Sequence, residues 1–430
     1  MKLELVATAT FGLEAVVRRE IEALGYKVIK TEDGRVTYMG DERAIVRSNL
    51  WLRTADRVYV RMGEFRATEF EDLFQQTKAL EWESIIPLEG AFPVVGGSVK
   101  SVLHSVPACQ KIIKKAVSVR LSEFYCREMM PETGAEYRIR FIAHKDQFLM
   151  LLDTSGAGLH KRGYRVRDVA APMKETLAAA LVQLSFYRKD RILVDPCCGS
   201  GTIPIEAALI ARNIAPGLGR SFASEGWDIT GAGLWKEERR LAYEAAGEGA
   251  DGQLHITAMD IDPRAVRAAK ENADEAGESD DIDIVRMDMT AWEPGAGIPK
   301  GASKDDHVVV ISNLPLSINH NECNNDIKTI EEKLHKKVIS KDDYVVVISN
   351  LPYAIRVGTT DGNRKIYSHI RKLMEECPRW SFFLLTADKS LEKEIGRKAD
   401  RRRKLYNGTI ETQFYQFHGE RPPKEAVAAS

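Results

Sequence analysis

The four consecutive residues Asn350-Leu351-Pro352-Tyr353 suit one chemistry, the methylation of an exocyclic amine on a nucleic-acid base. Such an amine is a poor nucleophile because its lone pair is delocalised into the ring. The side-chain oxygen of Asn350 and a backbone carbonyl, which we assign to Leu351, can accept the amine protons and localise the lone pair. Pro352 fixes φ and stiffens the loop, and Tyr353 can stack on an extruded base. The tetrapeptide therefore predicts the catalytic residues, with an ordinary strand and turn as the alternative.

The element that must position these residues is the apolar run Val345-Val346-Val347-Ile348, which predicts a buried parallel strand. Residues 340–352 (SKDDYVVVISNLP) repeat residues 303–315 (SKDDHVVVISNLP), but the first copy continues with Leu316 where the second has Tyr353. Because the fold has a single place for this strand, we expect the second copy to occupy it. Residues 303–339 are then a surface insertion created by a short tandem duplication.

The segment Asp195–Thr202 (DPCCGSGT) predicts a ligand-binding turn between a strand and a helix. Glycines there let the backbone approach a ligand closely, and the helix N-terminus offers free N–H groups. A dinucleotide loop would prefer a third glycine at the position of Pro204, and it would not begin with Asp195. A carboxylate at that place faces a cation, and S-adenosylmethionine carries an amino group and a sulfonium. We therefore predict S-adenosylmethionine as the cofactor, with a purely structural turn as the alternative.

Two further acids end later predicted strands. Asp260 can accept hydrogen bonds from both ribose hydroxyls, and Asp288 can accept one from the adenine amine. Each acid alone is more often a helix cap, but acids at successive strand ends, in this order, favour a methyl-donor site. The residues predicted to bind the cofactor are Asp195, Pro196, Gly199, Ser200, Gly201, Thr202, Asp260, Ile261, Asp288 and Met289.

Strands and helices alternate from about residue 168 onward, which predicts an α/β fold with a doubly wound parallel sheet. Ligands bind at the carboxyl ends of the strands in such a sheet. Two smaller α+β units precede it. The predicted domains are 1–62, 63–165 and 166–430, and the last of them contains the insertion.

The composition is that of a globular protein without a strong overall charge. The chain has 430 residues and a formal net charge of −1, so that any nucleic-acid binding must come from local basic patches. No apolar run of about 18 residues predicts a membrane span, and the N-terminus lacks the pattern of a signal peptide. The six cysteines form no C-x-x-C pair and no zinc pattern, so we expect free thiols in a reducing cytoplasm and no metal site.

Basic side chains are concentrated on a predicted helix over 108–124, in the segment before the third domain, and after Gly396. Those on the helix either bind RNA phosphates or solvate one face of it. The denser run after Gly396 either contacts RNA or orients the loop beside the active site. The residues predicted to bind RNA are Lys111, Lys114, Lys115, Arg162, Arg165, Arg401, Arg402 and Lys404.

Five stretches carry a resemblance to a known family. They are 159–165 (LHKRGYR), 171–180 (APMKETLAAA), 195–209 (DPCCGSGTIPIEAAL), 211–216 (ARNIAP) and 396–408 (GRKADRRRKLYNG). Together they resemble the THUMP-domain RNA methyltransferases, specifically the guanine-N2 enzymes that act on 23S ribosomal RNA. The resemblance implies an N-terminal ferredoxin-like domain, a THUMP domain that grips structured RNA, and a seven-stranded class I methyltransferase domain. It also implies that Asp195, Gly199, Gly201, Asp260 and Asp288 hold the methyl donor, and that Asn350, Pro352 and Tyr353 hold the target base.

Two departures from the family pattern keep other targets open. In the first, Leu351 stands where the family usually has the first proline of Asn-Pro-Pro-Tyr, and Ala354-Ile355-Arg356 follows where the family has Gly-Glu-Arg or similar. The second is the duplicated strand, whose first copy lies at the expected distance after Asp288. Asn-Leu-Pro-Tyr is also the form seen in ribosomal RNA adenine-N6 dimethyltransferases. The alternatives are therefore a transfer RNA guanine-N2 enzyme, an adenine-N6 enzyme, and a non-catalytic RNA-binding assembly factor in which the insertion has disabled the site.

Overall fold

The structure is a computed structural model that describes residues 1–167, 169, 172–249, 251–294, 339–352 and 360–421. Its strands are β1 (Leu3–Ala9), β2 (Lys27–Glu32), β3 (Arg35–Gly40), β4 (Ala55–Arg66), β5 (Val94–Val99), β6 (Ile139–His144), β7 (Gln147–Asp153), β8 (Ile192–Asp195), β9 (Ile256–Asp260), β10 (Ile282–Arg286), β11 (Val345–Asn350), β12 (Ser381–Thr386), β13 (Arg401–Asn407) and β14 (Ile410–Phe417). Its helices are α1 (Glu14–Ala23), α2 (Glu42–Trp51), α3 (Phe70–Lys78), α4 (Val106–Tyr125), α5 (Glu175–Leu184), α6 (Thr202–Ala211), α7 (Gly231–Glu248), α8 (Pro263–Glu275), α9 (Thr360–Glu376) and α10 (Leu391–Ile395).

The chain divides into two units. The first contains the described residues of 1–163, 175–180 and 212–250, and the second those of 164–174, 181–211 and 251–430. None of the described helices is long and apolar enough to cross a membrane.

The first unit is built on one seven-stranded sheet in the order β2-β3-β1-β4-β7-β6-β5. Strand β4 joins the two halves of this sheet, because its residues 55–60 pair with β1 and its residues 59–66 pair with β7. The predicted domain boundary between residues 62 and 63 falls inside this strand. The ferredoxin-like and THUMP parts therefore share one continuous sheet in the structure.

Residues 212–249 belong to the first unit, although the predicted boundaries place them in the third domain. The physical reason is aromatic burial, because Phe222, Trp227 and Trp235 are members of the first unit's hydrophobic core. The Trp227 ring stacks on Tyr137 with 4.8 Å between the ring centroids.

The second unit is built on a seven-stranded sheet in the order β10-β9-β8-β11-β12-β14-β13. The strands from β10 to β12 run parallel, and β14 and β13 are antiparallel, so that the sheet is mixed. The runs Ile192–Asp195 and Val345–Asn350 are almost wholly apolar because parallel strands are buried on both faces. The chain reverses its direction of growth between β8 and β11, which places a ligand crevice at their carboxyl ends.

The second copy of the repeated segment forms β11, at the centre of this sheet. Strand β11 pairs in parallel with β8 on one side and with β12 on the other. The first copy, residues 303–315, lies outside the described residues. Ile339, the last residue of the predicted insertion, is buried in the hydrophobic core of the second unit, so the predicted surface excursion does not include it.

Candidate active site

A cavity of about 460 Å³ lies in the second unit, at the carboxyl ends of the parallel strands. Every residue predicted to bind the methyl donor except Gly201 lines it, together with Asn350, Leu351 and Pro352. Sequence positions separated by more than 150 residues thus meet at one place. Tyr353, the remaining predicted catalytic residue, lies outside the described residues.

Asp195 ends β8 and is only 1% exposed. Its Oδ1 accepts hydrogen bonds from Ser349 Oγ at 2.9 Å and from the backbone N–H of Cys197 at 3.2 Å. Its Oδ2 is buried and has no hydrogen-bond partner among the described residues. Burial raises the pKa of Asp195 to about 7, and the charge of Asp260 acts in the same direction. A buried carboxylate with one unused oxygen fits a cationic ligand group, because a charge partner would offset its desolvation.

The turn after β8 has a backbone that only glycine accommodates easily. Gly199 and Gly201 have φ values of +56° and +80°. A Cβ atom added at Gly201 would lie 3.1 Å from the Cβ of Ala269, on helix α8. The Gly199 N–H donates to Asp260 Oδ2 at 2.9 Å, which fixes the turn against the end of β9. The two glycines therefore keep the turn tight and the cavity open.

Asp260 has a structural task that the sequence did not reveal. Its two carboxylate oxygens accept backbone N–H groups, from Gly199 at 2.9 Å and from Asp262 at 2.9 Å. Burial raises the pKa of Asp260, and these hydrogen bonds oppose that rise. Each carboxylate oxygen has a further lone pair, so Asp260 can still accept from the ribose hydroxyls as expected.

The residues that follow β9 and β10 give the cavity an apolar wall and a second acid. Ile261 is 63% exposed although it is apolar, and it faces a cavity that a flat adenine ring would fit. Asp288 Oδ1 accepts from the N–H and the hydroxyl of Thr290, at 2.9 and 2.8 Å, which fixes the carboxylate. The Met289 sulfur lies 3.6 Å from the Cys197 sulfur, and both residues line the cavity.

Asn350 ends β11 on the other side of the cavity. Its Oδ1 is buried and has no hydrogen-bond partner among the described residues. The next residue is anchored, because the Leu351 N–H donates to the Leu385 carbonyl at 3.0 Å and the Leu351 side chain is fully buried. A fixed acceptor at the cavity wall is what the amine chemistry requires.

Several residues of this site were missed by the sequence interpretation. Ser349 holds Asp195, and its only signal was a hydroxyl in an otherwise apolar strand. Lys365 and Ile366 of helix α9 also line the cavity. Their positions follow from tertiary packing, which no local pattern reports.

The predicted RNA-binding role of Arg162 is corrected by the structure. Arg162 is only 5% exposed, and its guanidinium donates to the backbone carbonyls of Leu159 and Arg53. Arg165 likewise donates to the Met173 carbonyl at 2.6 Å and to Thr202 Oγ1 at 3.1 Å. Because guanidinium forks satisfy several carbonyls at once, both residues tie chain segments together within their own unit.

The other predicted RNA contacts differ in how far they are engaged within the protein. Lys114 pairs with Glu132 and lies 3.6 Å from the centre of the Phe92 ring. Lys404 pairs with Glu411 at 2.6 Å, and Arg402 with Glu392 at 3.2 Å. The side chains of Lys111, Lys115 and Arg401 are exposed as well, and Lys115 Nζ lies 5.7 Å from the centre of the Phe74 ring. These exposed residues are the ones best placed to meet phosphate.

The sheet order, the glycine turn after β8 and the acids at successive strand ends define a class I methyltransferase. Family comparison agrees along the chain. An RlmL ferredoxin-like domain matches residues 4–59, a THUMP domain matches 67–153, and an RMKL-like methyltransferase domain matches 162–324 and 317–416. The chain belongs to this family of RMKL-like methyltransferases, and S-adenosylmethionine is its cofactor.

Known proteins match over nearly the full length. The chain is 43% identical to "Putative RNA methyltransferase YpsC" of Bacillus subtilis (strain 168), over 98% of each chain. It is 42% identical to "a predicted N6-adenine-specific DNA methylase" from Listeria monocytogenes, whose crystal structure gives a TM-score of 0.81 over 98% of this chain and 97% of that one. It is 38% identical to "SMU.472, a putative methyltransferase complexed with SAH", with a TM-score of 0.82 over 98% of this chain and 99% of that one.

Proposed function

We propose that this methyltransferase modifies the exocyclic N2 amine of a guanine in structured RNA, with 23S ribosomal RNA as its substrate and transfer RNA as the second candidate. The observation that carries the proposal is Asn350 Oδ1, which is buried at the cavity wall and has no partner among the residues that the structure describes. A buried acceptor without a partner is costly, and a substrate N–H would satisfy it.

In the proposed reaction Asn350 Oδ1 accepts a hydrogen bond from one N–H of the target amine, and the backbone carbonyl of Leu351 accepts one from the other. The amine nitrogen would take the methyl group as its bond to the donor's sulfur breaks, and the nitrogen then releases one proton to solvent. The two acceptors orient the amine and localise its lone pair toward the cavity. Pro352 lines the cavity beside them, and Tyr353 is proposed to stack on the extruded base. Proximity and orientation then supply most of the rate, so no strong general base is needed.

On the donor side, the proposal assigns Asp195 Oδ2 to the amino group of S-adenosylmethionine, which supplies an electrophilic methyl group when bound. Asp260 accepts from the ribose hydroxyls, and Ile261 packs against the adenine ring. Asp288 accepts from the adenine amine. The burial of Asp195 and the exposure of Ile261 support this assignment, because each is unfavourable until a ligand covers it.

The THUMP match and the YpsC relative support RNA as the substrate class. The resemblance to the guanine-N2 enzymes supports the target atom. We propose that Lys111, Lys115 and Arg401 contact RNA phosphates. Lys114, Arg402 and Lys404 are paired with carboxylates but remain partly exposed, and we propose that they contribute more weakly to RNA binding. The three-domain division and a cytoplasmic location remain part of the proposal.

Adenine N6 is the second candidate target, and a specific observation favours it. Leu351 stands at the first proline position of the guanine-N2 pattern. Its side chain is fully buried in the hydrophobic core of the second unit and also lines the cavity. The relative from Listeria monocytogenes also carries an N6-adenine name. An amine on either purine could meet the same two acceptors.

The test is to incubate the protein with isotopically labelled S-adenosylmethionine and with unmodified transcripts of 23S ribosomal RNA or transfer RNA. The RNA is then digested to nucleosides and analysed by mass spectrometry. We expect labelled N2-methylguanosine from the ribosomal transcript. Labelled N6-methyladenosine would establish adenine N6 as the target. The absence of label from both RNAs, with S-adenosylhomocysteine binding intact, would support the non-catalytic alternative.

A further inference from the structure

Ser349 is a buried hydroxyl near the carboxyl end of strand β11, after four apolar residues. It is fully buried on β11, directly before the proposed catalytic Asn350. Its Oγ donates to Asp195 Oδ1 at 2.9 Å, across the pairing of β11 with β8. Burying a hydroxyl costs free energy unless a hydrogen-bond partner offsets it. The partner of Ser349 is the carboxylate of Asp195 at the cavity, which suggests a functional reason for the hydroxyl.

We propose that Ser349 is a positioning residue for the methyl donor, whose hydroxyl holds Asp195 Oδ1 so that Oδ2 faces the donor's amino group. The proposal rests on the proposed contact between Asp195 and that amino group. It adds a residue that the donor-binding motif itself does not contain.

The geometry explains why a second strand must take part. Asp195 Oδ1 is held from two directions, by the Cys197 N–H of its own turn and by Ser349 of the neighbouring strand. A carboxylate held at one oxygen cannot rotate, so the other oxygen keeps a fixed direction. The same strand end carries Asn350, and a single rigid element therefore sets the positions of the donor's anchor and of the amine acceptor.

The charges around Asp195 make this hydrogen bond matter at neutral pH. Asp260 on β9 is the charged group that faces Asp195, and the thiols of Cys197 and Cys198 are its other titratable neighbours. Burial and Asp260 raise the pKa of Asp195, whereas the Ser349 hydroxyl and the Cys197 N–H lower it. Without the hydroxyl, a larger fraction of Asp195 is protonated at neutral pH and cannot pair with an ammonium group.

The experiment is calorimetric titration of the full chain with S-adenosylhomocysteine, which retains the amino group and needs no RNA. We expect Ser349→Ala to weaken binding at pH 7 by roughly tenfold, because hydrogen bonds to charged groups are among the stronger ones. The acid limb of the affinity against pH should move up by about one pH unit. The alkaline limb, which reports the ligand's own amine, should stay in place.

Two further variants separate positioning from folding. Ser349→Thr keeps a hydroxyl and should restore both the affinity and the acid limb. Ser185→Ala removes another buried hydroxyl of the second unit, one that donates to the Val182 carbonyl away from the cavity, and should leave both unchanged. Wild-type affinity and an unshifted acid limb in Ser349→Ala would overturn the proposal. If the unsubstituted protein binds S-adenosylhomocysteine but methylates no RNA, while Ser349→Ala weakens that binding as expected, only the proposed function is contradicted.

Discussion

At the scale of single residues, the site is defined by polar atoms that are buried before any ligand arrives. Asp195 Oδ2 and Asn350 Oδ1 are both buried without a partner among the described residues. Each lies at the end of a strand, where the backbone is fixed by the sheet. Unsatisfied groups of this kind are costly to the folded state, and they persist where a ligand repays that cost.

Asp195→Asn should therefore stabilise the ligand-free protein at high pH. The folded-state pKa of about 7 lies above that of an unfolded aspartate, so the folded state binds the proton more tightly. The stability that this carboxyl contributes is fully present below the unfolded-state pKa of about 4 and is lost as pH rises through the folded-state pKa of about 7. The variant has no such loss, and its advantage in unfolding free energy should grow by about 3 kcal/mol between pH 5 and pH 8.

Chemical denaturation at pH 5 and pH 8 measures this difference. Asp260, whose pKa is also raised by burial, is present in both proteins and responds to the loss of the neighbouring charge, so the measured difference reports the coupled titration of Asp195 and Asp260. A stability difference that does not change with pH would show that Asp195 titrates normally. S-adenosylhomocysteine binding should be lost in Asp195→Asn, which would separate the stability effect from function.

The sequence could predict residues whose chemistry is local, and it missed those whose task depends on packing. The glycine turn, Asp260 and Asn350 were found because strand ends and turns leave a pattern in the chain. Arg162 was misjudged, because an arginine in a basic stretch looks the same whether its guanidinium faces solvent or a backbone carbonyl. Ser349 was missed for a similar reason.

At the scale of elements, strand β11 decides the assignment of the repeated segment. The pairing of β11 with β8 and β12 places the second copy between these two parallel strands, beside the proposed donor-binding turn. The two copies carry identical apolar runs and differ at His307 and Tyr344, and the residue after the motif, Leu316 or Tyr353, was the difference that favoured the second copy. The prediction that the second copy occupies the sheet agrees with the described structure.

Asn350→Ala should therefore abolish methyl transfer, whereas Asn313→Ala, the same change in the first copy, should leave it nearly unchanged. We expect a loss of at least about 100-fold in the rate for Asn350→Ala, because the amine loses a positioned proton acceptor. S-adenosylhomocysteine should bind both variants as tightly as the original protein. The measurement is transfer of labelled methyl groups to RNA, and a loss in Asn313→Ala instead would assign the reaction to the first copy.

At the scale of the whole molecule, the division of the chain does not follow the order of its sequence. Strand β4 makes one sheet of two predicted domains, and residues 212–249 pack into the first unit although the donor-binding turn precedes them. The order of domain types was predictable because each has its own pattern of strands and helices. The boundaries stay a prediction. The two compact units of the structure differ from them because the pairing of β4 and the burial of Trp227 and Trp235 depend on residues far apart in the chain.

The charge of the whole molecule leads to the last prediction. With a net charge of −1, affinity for RNA must come from a few exposed basic side chains rather than from the overall charge. Lys111→Gln and Arg401→Gln should each reduce the slope of log affinity against log salt for 23S transcripts by about 0.7–0.9, the effect of one lost phosphate contact. Filter binding over a range of salt concentrations measures that slope.

Arg162→Ala is the matched control, because its buried guanidinium donates to backbone carbonyls. It should lower the unfolding free energy by about 2 kcal/mol and leave the slope unchanged. A reduced slope with an unchanged melting transition in Arg162→Ala would return that arginine to the RNA interface.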